Sequence, residues 1–214
     1  MRKTGIICAM ESELELLRDA GFGDNVRFVL SGMGKVNAAL CAEGLIRDFS
    51  ADAVISTGVA GSFADGIREG DMIVASSTAY HDMWCGHGCL MGQLQGFPQR
   101  FDCDRELVAD ALRYAPQARG GLIITGDQFY LHEAEDRRQR ELYPDALAVD
   151  MESAAIAQVC HIRKVPFLSV RIISDTHNDG HQNENYRNFW ERDSREAFGP
   201  LADMLLMLTK NCKG

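Results

Sequence analysis

The segment Pro166 to Ile173, Pro-Phe-Leu-Ser-Val-Arg-Ile-Ile, is apolar at nearly every position rather than at every second one. A strand that faces water on one side alternates; a strand without alternation is covered on both faces, as in a parallel sheet flanked by helices. The rest of the chain has the form such a sheet needs. Strands are expected over Thr4 to Met10, Val26 to Leu30, Ala53 to Thr57, Asp71 to Ala75, Gly121 to Thr125 and Ala146 to Val149. Between them, helical spacing marks Glu11 to Leu17, Val36 to Ile46, Arg105 to Tyr114, Glu133 to Leu142 and Ala154 to Arg163, with a helical tail from Phe189 to Leu208. Alternating strand and helix implies an α/β fold with a mostly parallel sheet and helices on both faces.

No linker rich in proline, serine or one sign of charge divides the 214 residues, so residues 1–214 read as a single domain. The net charge of −9, with basic residues scattered singly or in pairs, argues against a nucleic-acid polymer or an anionic membrane as partner. The apolar run at the amino terminus is too short for a signal peptide and no later run spans a bilayer, which places the protein in the cytoplasm. Seven cysteines, mostly within apolar runs, read as reduced thiols rather than a disulfide framework. His81, Cys85, His87 and Cys89 have a metal-binding composition, but Cys-x-His-x-Cys lacks the two-residue gap of zinc knuckles. That stretch, Tyr80 to Phe101, reads as a long ordered loop and no metal or cofactor is expected.

In open α/β sheets ligands bind beyond the carboxyl ends of the strands. Those ends carry Glu13, Glu152 and Asp175, with Phe129 as an apolar plate and glycine-bearing loops at Ser31 to Lys35 and Gly58 to Ser62. Glu13 and Glu152 each have a plain alternative as a first-turn partner of a helix dipole. Asp150 reads as the cap of the helix at Ala154, and Glu152, close to that dipole, as a carboxylate kept ionised. Three carboxylates without basic neighbours suit a hydroxyl-rich, weakly anionic ligand such as a nucleoside. Breaking its N-glycosidic bond takes an acid for the leaving base, a base for water and an acceptor for the ribose hydroxyls. No phosphate-binding loop or dinucleotide fingerprint is present.

The ordered set Gly5-Ile-Ile-Cys-Ala-Met-Glu-Ser-Glu13, Ser31-Gly-Met-Gly-Lys-Val36, Thr57-Gly-Val-Ala-Gly61, Tyr80-His-Asp82, Gly126-Asp-Gln-Phe129, Val149-Asp-Met-Glu152 and Arg171-Ile-Ile-Ser-Asp175 covers nearly the whole chain. It resembles the purine nucleoside phosphorylase superfamily and, within it, the methylthioadenosine/S-adenosylhomocysteine nucleosidases. The resemblance implies a three-layer, mixed but mostly parallel sheet of the nucleoside phosphorylase type and a homodimer. It also implies hydrolysis of 5′-modified adenosines to adenine and the modified ribose. Asp175, oriented by Ser174, then protonates adenine N7, and Glu13 takes the proton of the attacking water. Glu152 holds the ribose hydroxyls, Met151 and Gly61 lie against the ligand, and Phe129 stacks on adenine. The backbone of Tyr130 reads the base edge, Arg171 supports the water and carboxylates, and Tyr186 with Phe189 flanks the 5′ end near His177, Asn178 and His181.

This sequence departs from the family pattern in a shortened segment before Ser31, in Val59 for the usual serine, in Asp150 for the usual glutamate and in Trp84-Cys85-Gly86-His87. Two other activities fit the same residues: phosphate-dependent cleavage by a phosphorylase, and nucleoside binding without catalysis. The uncharged Val59-Ala60-Gly61 favours water over phosphate as nucleophile, and the full set of carboxylates favours catalysis.

Overall fold

The computed structural model describes residues 2–129, 133–176 and 182–211. In chain order the elements are β1 (Thr4–Cys8), α1 (Glu11–Arg18), β2 (Val26–Leu30), α2 (Lys35–Asp48), β3 (Ala53–Ser62), β4 (Met72–Tyr80), β5 (Arg100–Asp102) and α3 (Arg105–Tyr114). Then come β6 (Arg119–Thr125), α4 (Glu133–Leu142), β7 (Ala146–Asp150), α5 (Ser153–Arg163), β8 (Phe167–Asp175), α6 (Gln182–Asn188), a π-helical turn (Phe189–Asp193) and α7 (Ser194–Asn211).

All nine residues of β8 are buried, as an apolar run without alternation requires. Fully burying side chains such as Val170, Ile172 and Ile173 contributes about 1.5–3 kcal/mol each. β1 is likewise buried throughout. α2 packs on α5, and α7 packs on both α1 and α3, so the sheet has helical cover built from more than one group.

The sheet has eight strands and is mixed. β1 pairs in parallel with β2 and β3, and β3 in parallel with β8. β8 joins β4 antiparallel, β4 joins β6 in parallel, β6 joins β7 in parallel, and β7 returns antiparallel to β3. The circuit β3, β8, β4, β6, β7 therefore closes on itself, while β2 and β1 extend from β3 and β5 from β4. Strand–helix alternation accounts for the parallel pairs. The antiparallel joins that close the ring link strands remote in sequence, about which local periodicity says nothing.

Several boundaries differ from the sequence expectations. β3 does not stop at Thr57 but continues through Gly58 to Ser62, so the second glycine-bearing loop is a strand whose glycines allow close approach. β4 runs on to Tyr80, and α6 begins at Gln182 within a stretch that read as loop. The tail helix starts with a π-helical turn. Cys8, Cys103 and Cys160 are buried as expected of core thiols, whereas Cys85 is exposed. No helix among the described residues is long and apolar enough to cross a membrane.

Candidate active site

The ends of β1, β3, β7 and β8 surround a cavity of about 570 Å³, counting the space continuous with solvent. Gly61 sits at the joint, where β3 is in register with Val149 of β7 and, after a bulge at Ala60, with Asp175 of β8. A Cβ at Gly61 would stand 3.1 Å from Asp175 Oδ2, so a larger residue would crowd the acid.

Glu13 projects from the first turn of α1, between β1 and β3, and is 2% exposed. Its Oε2 accepts from the backbone N–H groups of Ala9 and Met10, each at 2.9 Å, and its Oε1 accepts from Val59 N–H at 2.9 Å. These bonds aim the carboxylate at the cavity instead of leaving it a surface partner for the helix dipole. Burial pushes its pKa up, opposed by the Arg171 charge and the three N–H groups. Gly58, at φ +141, is what admits it: a Cβ there would collide with Glu13 Oε1.

β7 delivers Asp150 and Glu152 by different routes. Asp150 Oδ1 accepts from the N–H groups of Glu152 and Ser153 at 3.3 and 3.2 Å, so it does cap α5. Its Oδ2 accepts from Arg171 Nε at 2.9 Å and from the Ser153 hydroxyl. Glu152 occupies the N-cap position of α5 but turns its side chain away, and Oε1 accepts from Gly34 N–H at 2.9 Å across the cavity. The helix dipole does not by itself set the charge of Glu152: burial, then the Asp150 charge, push its pKa up to about 7, so it is only partly ionised near neutrality. Only Arg171, 3.8 Å from Oε2, and Gly34 N–H among its near neighbours pull the other way.

Arg171 is 2% exposed and does not reach the cavity wall. It lies beneath the carboxylates, donating to Asp150, to Ser56 Oγ at 2.8 Å and to Ser153 Oγ at 3.1 Å. Burial works against its charge, yet Asp150, Glu152 and Glu13 together hold its pKa above the ordinary value. It is placed to steady carboxylates, not to touch a ligand.

Asp175 ends β8 on the cavity wall. Ser174 Oγ donates to its Oδ1 at 2.7 Å, and Gln182 Nε2 donates to its Oδ2 at 2.6 Å. Gly61, Phe129, Met151, Glu152, Ser174, Tyr186 and Glu13 all line the same cavity, as the sequence reading grouped them. Phe129 and Tyr186 meet edge to face, ring centroids 5.2 Å apart, and the Tyr186 hydroxyl donates to Met10 Sδ at 3.4 Å. Phe189, paired with Tyr186 on spacing, is instead fully buried in the core against Trp190. Tyr130, His177, Asn178 and His181 lie outside the described residues.

A model of the phosphorylase superfamily matches residues 3–205. The chain belongs to that superfamily. Within it, the chain is 40% identical over 197 residues to the 5′-methylthioadenosine/S-adenosylhomocysteine nucleosidase of Aeromonas salmonicida, covering 81% of this chain and 86% of the relative. The nucleosidase of Neisseria meningitidis, solved with methylthio-immucillin-A, superposes with a TM-score of 0.88 at 33% identity, covering 98% of this chain and 99% of that one. The enzyme from Colwellia psychrerythraea, solved with adenine, gives 0.87 at 34% identity over 97% and 96%. The superfamily member described here thus sits beside the nucleosidases in both sequence and structure.

Gln182 escaped the sequence reading because it lies in a polar stretch with no periodicity. Met10, Met33 and Gln128 also line the cavity and escaped it, although all three lie inside motifs quoted for the family resemblance. Among the described residues, His81, Cys85, His87 and Cys89 do not assemble with other ligands into a group of three or more that could hold a metal. At the start of the loop that carries them, the Tyr143 hydroxyl donates to Tyr80 O at 2.8 Å.

Proposed function

We propose that this chain hydrolyses the N-glycosidic bond of 5′-modified adenosines, methylthioadenosine and S-adenosylhomocysteine, releasing adenine and the modified ribose. The observation that carries this reading is a cavity with Glu13, Glu152 and Asp175 on its wall and no lysine or arginine among the described residues that line it. A phosphate co-substrate is most strongly held by cationic partners, so their absence from this lining favours water as the nucleophile.

The C1′–N9 bond breaks with its electrons passing to the base, and Asp175 donates a proton to N7 as that charge develops. Ser174 orients the carboxyl. Water adds its oxygen to C1′ and gives its proton to Glu13, whose pKa burial raises above the ordinary carboxylate value. Glu152 accepts from the ribose hydroxyls, with Met151 and Gly61 against the sugar. Ionised carboxylates beside the ribose stabilise its oxocarbenium character. Phe129 stacks on adenine, while Tyr186 covers the 5′ group. Arg171 acts through Asp150 and Glu152 and is a positioning residue.

The reading includes a homodimer. Its support is an exposed apolar stripe, Met33, Val36 and Leu40, 60%, 70% and 68% exposed, which a second copy would cover next to the cavity mouth. It also includes a cytoplasmic setting, which free cysteines favour, and a three-layer arrangement, which the separate packing of α2 on α5 and α3 on α7 favours. The decisive assay incubates the protein with methylthioadenosine with and without phosphate and identifies the sugar. Free methylthioribose in both supports hydrolysis; a sugar 1-phosphate formed only with phosphate overturns it.

A further inference from the structure

Lys35 opens α2 directly after the turn Gly32-Met33-Gly34, and it does not touch the cavity. Its ammonium nevertheless ties together two segments that do, at Met33 and at Gln128 and Phe129, by way of Asp82. Lys35 Nζ donates to both oxygens of Asp82, at 2.8 and 2.7 Å, and lies 3.7 Å from Asp127 Oδ2. Asp82 Oδ2 also accepts from Asp127 N–H at 2.9 Å. In return Asp127 Oδ1 accepts from the backbone N–H of Lys35 at 2.8 Å. α2 has no acidic residue in its first turn and no side-chain cap from its own N-cap residue, Gly34, so Asp127 supplies that cap from a distant loop. A Cβ on Gly34 would lie 3.1 Å from Asp127 Oδ1, so the turn and the loop are in close contact.

The two ends of this clamp hold different parts of the site. Gly34, one residue before Lys35, gives its N–H to Glu152 Oε1 at 2.9 Å. Asp127, two residues before Phe129, anchors the turn whose Gln128 and Phe129 line the cavity. Side-chain exposures of 23% for Lys35 and 17% for Asp82 leave the pair partly shielded, which strengthens it relative to a surface pair.

We propose that Lys35, through Asp82 and Asp127, is a positioning residue that sets the distance between the aromatic plate at Phe129 and the ribose acceptor Glu152, and so tunes substrate binding. This rests on the function proposed above. Neither acid nor base is touched by the clamp, so its loss acts on binding and not on proton transfer.

The test compares wild type with Lys35→Met, Lys35→Arg and Asp127→Asn, by steady-state hydrolysis of methylthioadenosine and by calorimetry with adenine. Lys35→Met is expected to raise KM and weaken adenine binding by roughly tenfold, the order of one lost charged hydrogen bond, with kcat and its pH profile kept. Lys35→Arg restores most of the affinity. Asp127→Asn keeps a cap oxygen for α2 but loses the charge, and gives a smaller rise in KM, which covers the case in which Lys35→Met does not fold. A Lys35→Met variant with KM and adenine affinity within twofold of wild type overturns the proposal, as does a fall in kcat at unchanged KM. If wild type released no adenine from methylthioadenosine, the proposed function would fall, while the calorimetry would still decide the role of Lys35.

Discussion

Gln182 donates its side-chain amide N–H to Asp175 Oδ2 at 2.6 Å. With Ser174 on Oδ1 at 2.7 Å, each oxygen of the carboxyl accepts a hydrogen bond from a neighbouring side chain. A purine N7 that approaches Oδ2 competes with the Gln182 amide for that oxygen. Asp175→Asn is expected to cut hydrolysis by at least about 100-fold while adenine still binds, because an amide cannot protonate the leaving base. Hydrolysis by Asp175→Asn within a few-fold of wild type would remove Asp175 from the role of acid. Gln182→Ala should bind adenine roughly fivefold more tightly, the worth of one ordinary hydrogen bond that no longer has to be broken. Weaker calorimetric binding by that variant would show that the amide holds the base instead.

Glu13 and Gly58 form a second testable pair. Glu13→Gln should slow hydrolysis about 10²- to 10⁴-fold for want of a base, equally in phosphate and phosphate-free buffer. A phosphate-dependent rate surviving in that variant would point to a phosphorylase. Gly58→Ala forces a Cβ into Glu13 Oε1 and strains a backbone at φ +141, so it should mimic Glu13→Gln in rate although no catalytic group has been changed. Near-normal turnover in Gly58→Ala, with the protein folded by circular dichroism, would show that the Glu13 position is not needed.

These residues differ in how far the sequence alone exposed them, and the difference has physical causes. Glu13, Glu152 and Asp175 were visible because each stands at the end of an apolar run, where a carboxylate is locally anomalous. β8 and α3 were visible for the same kind of reason, an apolar pattern with a clear period or clear lack of one. Gln182 was not, since α6 buries none of its residues and so carries no apolar stripe to mark it as a helix. The continuation of β3 through Gly58 and Gly61 was hidden because glycine reads as a break, and only the packing of Glu13 and Asp175 against it explains why glycine is there. The Asp150–Arg171 pair and the closure of the ring depend on contacts between distant segments, which no local pattern encodes.

The raised pKa of Glu152 makes stability depend on pH. Burial and then Asp150 raise it from 4.5 to about 7, so between those values the folded protein holds a proton that the unfolded chain has lost. The stabilisation is complete below pH 4.5 and disappears as pH rises through about 7. For this group it amounts to up to roughly 3 kcal/mol, and Glu13, raised mainly by burial, acts in the same direction. Denaturant titrations of the ligand-free protein should therefore show higher stability at pH 5 than at pH 8, with the difference reduced in Glu152→Gln. Substrate binding should run the other way, because ribose hydroxyls donate to the ionised form, so KM should fall as pH rises through about 7. A KM that is flat across this range would separate Glu152 from the ribose.

The last prediction concerns the 5′ end, where Tyr186 stands alone among the two aromatics that spacing suggested. Phe189 is buried in the core, so the 5′ cover is Tyr186, edge to face with Phe129 and bonded through its hydroxyl to Met10 Sδ. Covering an alkylthio group removes apolar area from water at about 25 cal/mol per Å², which favours methylthioadenosine over adenosine. The tyrosine hydroxyl works against that preference, since a thioether is a weak acceptor and the hydroxyl remains available to a 5′-hydroxyl on the substrate. Burial pushes the Tyr186 pKa up, so the hydroxyl stays a neutral donor throughout the working range. Tyr186→Phe should therefore raise the ratio of kcat/KM for methylthioadenosine over adenosine. The gain should stay within the roughly 1–3 kcal/mol by which apolar pockets separate close analogues. A ratio that stays the same or falls would mean that the hydroxyl does not face the 5′ group, and that Met10 and Met33, also on the cavity wall, set the preference instead.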